Sequence, residues 1–167
     1  MVKKILDNFE ELLASMFLMG TTVLVVANII FRYFLKTGIF WSEEVATGFF
    51  VWSVFIGAAA AFKKGQHIGI DIIVSKLNGR NRAIANVLID VVVLIVIGFI
   101  TIFSVLYVKT SYTKPTPVLG ISSAYISSSI IAGFTLMLIR SVMFLFDDIK
   151  KLGGGRLWVE NFFLFYL

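Results

Sequence analysis

The stretch Ala83–Val108, AIANVLIDVVVLIVIGFITIFSVLYV, decides the fold. It carries one charged residue, Asp90, and no proline. As a helix rising ~1.5 Å per residue it reaches about 39 Å, more than the ~30 Å of hydrocarbon in a bilayer. Its apolar residues surround the axis, so the one-sided stripe of a helix lying on a soluble core is weak. Reading outward, three more stretches have this character: about Leu12 to Phe31, Val45 to Phe62, and about Ala124 to Phe146. The second is short and draws length from its flanks. The expectation is an all-α membrane protein, with four transmembrane helices in one domain over residues 1–152.

Composition supports this. Of 167 residues, 59% are hydrophobic and 15% charged, against about a quarter charged in soluble domains, and the mean hydropathy is +0.94. Such a chain cannot cover its surface with polar groups, so lipid is its solvent. Cysteine is absent, which excludes disulfides, iron–sulfur clusters, thiolate zinc and thiol catalysis. One histidine excludes a bis-His haem within this chain. No catalytic set, metal or cofactor is expected. The net charge of +5 is distributed between the spans, the pattern of membrane topology and not of a nucleic-acid-binding face.

The connectors set the orientation. Lys36-Thr37-Gly38 breaks the chain, and Trp41-Ser42-Glu43-Glu44 restarts it, with Ser42 expected as N-cap and two carboxylates in the first helical turn. Lys63 to Arg82 is too polar to cross, and its alternating Ile68, Ile70, Ile72 and Ile73 predict an interfacial segment between the second and third spans. Thr110 to Ser123, with Pro115, Pro117 and Gly120, reads as an exposed loop. With both termini on one side, that side holds ten Lys and Arg residues and the other holds four. The positive-inside rule then gives N-in, C-in. Acidic Asp7, Glu10 and Glu11 precede a long first span, so an uncleaved anchor is expected and not a signal peptide. Residues 153–167, a glycine run followed by an aromatic tail, fit neither pattern.

Within the spans, Asp90 and Arg140 are the unusual residues, because an ionisable group in a membrane is costly. Each lies seven residues inside its span on the same side, roughly 10 Å deep. Equal depth and opposite charge predict a mutual ion pair or shared contact with a partner, ahead of a proton relay. Asn28 and Arg32 stand one turn apart near the outer end of the first span. Arg32 is read either as a clasp to Glu43 or Glu44 or as a cation reaching lipid phosphates. His67 and Asp71, four apart, predict a local hydrogen bond shaping the connector and not a metal site. Trp41 and Trp52 are expected as interface anchors or packing residues, and Gly57-Ala58-Ala59-Ala60-Ala61 as a face for close helix approach. No span has the internal Gly/Pro break of a sodium site between broken helices.

Taken in order, Arg32-Tyr33, Trp41-Ser42-Glu43-Glu44, Gly57-Ala58, Lys63-Lys64-Gly65-Gln66-His67-Ile68-Gly69-Ile70-Asp71, Thr116-Pro117-Val118-Leu119-Gly120-Ile121 and Arg140 carry a resemblance. Over about residues 5 to 150 the chain resembles the small (Q-type) membrane subunit of tripartite ATP-independent periplasmic (TRAP) transporters. Ser122 and the run Ser127-Ser128-Ser129 stand where members often have proline. The resemblance implies a non-catalytic subunit in the bacterial inner membrane. Its implied partners are a large multi-span (M-type) subunit that carries an organic acid inward with sodium, and a periplasmic substrate-binding protein. It favours the clasp for Arg32 and implies subunit-interface roles near Trp41, Glu43 and Glu44. The alternative is a self-sufficient four-helix exporter, which needs a carboxylate inside its first span. Here Glu10 and Glu11 lie at the edge.

Overall fold

In lipid a backbone satisfies its N–H and C=O groups either within an α-helix or between the strands of a closed barrel, and long unbroken apolar stretches without strand alternation take the helix. The computed structural model describes residues 8–63 and 80–152. These form α1 (Phe9–Phe34), α2 (Ser42–Lys63), α3 (Arg80–Ser111) and α4 (Ala124–Leu152), all long and apolar enough to cross a membrane. The helices outrun the expected spans by several residues at most ends, because polar residues at the ends can stay helical in the headgroup region. The interfacial segment, His67, Asp71 and the tail 153–167 lie outside the described residues.

Helix α1 packs on α2, α3 packs on α4, and α2 on α4 joins the two hairpins. The contact faces are lined by small residues. Ala46, Ala59 and Ala60 of α2 and Ser127, Ser129 and Ser141 of α4 are buried. Helices in lipid associate by close backbone approach, since Leu against Leu gains little over Leu against a lipid tail. The buried hydroxyls donate back to their own helices, Ser53 to the Phe50 carbonyl and Ser129 to that of Ile126, each at 2.7 Å. The alanine-rich face of α2 serves this chain's own packing: Ala59 meets Ile97 and Met137 in the core. Gly57 faces Ala14 of α1.

Aromatic rings fill the remaining seams. Phe17 of α1 meets Phe49 and Trp52 of α2, while Phe55–Phe134 and Phe62–Phe144 bind α2 to α4. Trp52 also donates its indole N–H to the Tyr125 carbonyl at 3.1 Å, so of its two expected roles it takes packing. Helix α1 contributes no buried residue, and α3 exposes Leu88, Val92, Ile95, Phe99, Ile102 and Phe103.

Candidate functional site

At the end carrying connectors 35–41 and 112–123, polar residues of α1, α2 and the α3–α4 turn meet. The Asn28 side chain accepts the Ile39 N–H at 2.9 Å and donates to Glu43 Oε1 at 3.4 Å. It thereby fixes both the connector and the start of α2. Glu44 Oε2 accepts the backbone N–H of Val118 at 2.8 Å and of Leu119 at 3.3 Å. Those two residues form the tip of a turn closed by Thr116 N–H to the Ile121 carbonyl at 2.7 Å and Gly120 N–H to the Thr116 carbonyl at 3.1 Å. Gly120 takes φ +66 there, a conformation open to glycine at no steric cost. One carboxylate of α2 therefore ties the second hairpin's turn to the first hairpin.

This corrects the clasp expected from the sequence. Among the described residues Arg32 makes no ion pair with Glu43 or Glu44; the neutral amide of Asn28 holds Glu43 instead. Consecutive helical residues point about 100° apart. Glu43 and Glu44 therefore face different neighbours, α1 and the α3–α4 turn. Ser42 also departs from its expected role as N-cap. It is the first residue of α2, 1% exposed, and its hydroxyl donates to the Ile39 carbonyl at 2.7 Å. The hydroxyl is thus engaged by the connector and not by the N–H groups a cap would serve. Trp41, half exposed, accepts the Val45 N–H on its carbonyl. Between α1 and the start of α2 a cavity of about 150 Å³ is lined by Val25, Asn28, Ile29, Arg32, Ser42 and Glu43.

At the opposite end, the Arg140 guanidinium pairs with the Glu10 carboxylate, the two side chains being 21% and 15% exposed. The second oxygen, Glu10 Oε2, is buried without a hydrogen bond. The partner expected for Arg140 was Asp90; the pairing of α1 against α2 instead delivers the first turn of α1 to α4. Asp90 is 8% exposed and has contacts of its own. Asp147 is 4% exposed. Among the described residues no group of His, Cys, Asp and Glu could hold a metal ion.

Two residues of these ties escaped the sequence reading. Asn28 stands one turn from Arg32 and no sequence pattern assigns it a partner, although an amide inside a span is itself a signal. Glu10 reads in sequence only as an acid at the edge of the first span, where nothing local points to a partner 130 residues away.

Four spanning helices tied at both ends by polar contacts define a multi-pass membrane protein. The model of the tripartite ATP-independent periplasmic transporters, DctQ component, matches residues 21–151, and the chain belongs to that family. It is 27% identical to the sialic acid TRAP transporter small permease protein of Vibrio cholerae, over 92% of this chain and 89% of that protein. It is 32% identical to a putative TRAP transporter small permease protein of Haemophilus influenzae, over 75% and 76% respectively. A more distant relative, the sialic acid TRAP transporter permease protein of Haemophilus influenzae, is 23% identical over 83% of this chain but only 23% of its own length. The chain is thus a small membrane component of a TRAP transporter, and not an enzyme.

Proposed function

We propose that the chain is a scaffold in a sodium-coupled importer of organic acids in the bacterial inner membrane. A large multi-span subunit then carries the substrate, and a periplasmic binding protein delivers it. One observation supports this above others: the longer permease of Haemophilus influenzae carries a region like this chain as about a quarter of its length. A segment that exists both fused to and separate from a larger permease is read as its structural companion. The placement of polar groups agrees with that role. Asn28, Glu43, Glu44, Glu10 and Arg140 join helices to helices or to turns, which holds the bundle in one arrangement against a moving neighbour. A self-sufficient exporter is less well supported, because Glu10, one of the two carboxylates at the edge of its first span, is engaged by Arg140.

Reconstituted alone in liposomes under a sodium gradient, with its matched binding protein present, the chain is expected to give no organic-acid uptake. Uptake should appear when the large subunit is added. Robust uptake by the chain alone would overturn the scaffold reading.

The orientation proposed is N-in, C-in. Cysteines introduced at Thr37 and Thr113 should react with a membrane-impermeant thiol reagent added outside, and cysteines at Ser75 and Gly153 should not. The opposite labelling pattern would reverse the orientation.

A further inference from the structure

The cavity between α1 and α2 has an unusual composition. The α1 wall runs from apolar Val25 and Ile29 to one cation, Arg32, at the helix end, and the start of α2 adds one carboxylate, Glu43. The two charges line the same space without forming an ion pair. Arg32 has no ion pair among the described residues, because Asn28 occupies Glu43 and the α3–α4 turn occupies Glu44. Glu43 is held through Oε1 alone. At the adjoining end of α1 and in the connector that follows, Tyr33, Phe34, Phe40 and Trp41 are 78%, 84%, 86% and 46% exposed. Exposed aromatics at the end of a span mark headgroup depth. Below Arg32, toward the bilayer centre, Val25 and Ile29 are both about half exposed and offer a surface for an acyl chain.

We propose that this cavity binds the headgroup of phosphatidylethanolamine. The phosphate meets the Arg32 guanidinium, a charge-assisted contact stronger than a neutral hydrogen bond. The primary ammonium donates to the open oxygen of Glu43, and one acyl chain lies along Val25 and Ile29. Complementary charge selects the lipid: a phosphatidylglycerol brings no cation to Glu43. Phosphatidylcholine brings a quaternary nitrogen that has no N–H to donate.

The test is native mass spectrometry of the full chain, delipidated and titrated with phosphatidylethanolamine, phosphatidylglycerol and phosphatidylcholine of identical acyl chains. The unaltered chain should retain phosphatidylethanolamine about tenfold more strongly than either other lipid, the worth of one well-placed charged contact. Arg32→Gln should remove most of that retention, and Arg32→Lys should restore part of it. Glu43→Gln should bring phosphatidylethanolamine down to the level of phosphatidylcholine, and this ratio decides the matter if Arg32→Gln proves unfolded by circular dichroism. Equal retention of the three lipids, preference for phosphatidylglycerol, or indifference to both substitutions would overturn the proposal. So would loss of the bound lipid on adding the large subunit, since the cavity would then be a protein interface.

Discussion

Replacing Arg140 with leucine should lower the stability of the purified protein by about 3 kcal/mol, the scale for stranding one member of a largely buried ion pair. The stranded group is Glu10, whose carboxylate already has one oxygen, Oε2, buried without a hydrogen bond. Replacing both Glu10 and Arg140 with leucine should recover much of the loss, because no isolated charge remains. A double-mutant cycle read by thermal unfolding in detergent checks this. The Glu10–Arg140 coupling should exceed that of Asp90 with Arg140. If the Asp90 cycle gives the larger value, the pairing inferred from residue depth holds and the contact with α1 is secondary. The change should also loosen α1 selectively, since that helix has no buried residue to hold it.

An effect of similar size is expected at Gly133. A Cβ at this position would lie 2.8 Å from the Phe55 carbonyl oxygen and 2.9 Å from the Phe55 Cβ. Backbone cannot swing aside as a long side chain can, so α2 and α4 would have to separate along the seam that joins the two hairpins. Gly133→Ala should cost about 1–3 kcal/mol, and Gly133→Leu should split the bundle into hairpins that purify poorly or aggregate. Gly98 provides the control. Nothing lies within 4 Å of a Cβ built there, and alanine is the better helix former by up to about 1 kcal/mol. Gly98→Ala should therefore leave stability unchanged or raised. A Gly133→Ala protein as stable as the parent would show that the helices can shift apart freely.

The four helices were legible because lipid imposes a single condition, a long apolar run with its hydrogen bonds closed within the segment. That condition is local, and Ala83–Val108 meets it without reference to any other residue. The family signature was legible for a related reason. The quoted groups lie near the span ends and in the connectors, at fixed order and spacing. Arg32 shows where this reading stops. Proximity in sequence offers Glu43 and Glu44 as its partners, yet it cannot say which way they face once α2 begins at Ser42, and Arg32 pairs with neither among the described residues.

Residue types and their order therefore determined the solvent, the number of spans and the kinship of this chain. The tertiary structure decided the partners: Glu10 for Arg140, Asn28 for Glu43, and the Val118–Leu119 turn for Glu44. The physical reason is distance along the chain. A span is stabilised by contacts within itself and with lipid, so its sequence must advertise it. A polar tie between helices is satisfied by whichever group the packing delivers, and in this bundle small residues and Gly133 set that packing. No pattern within a single span records the outcome.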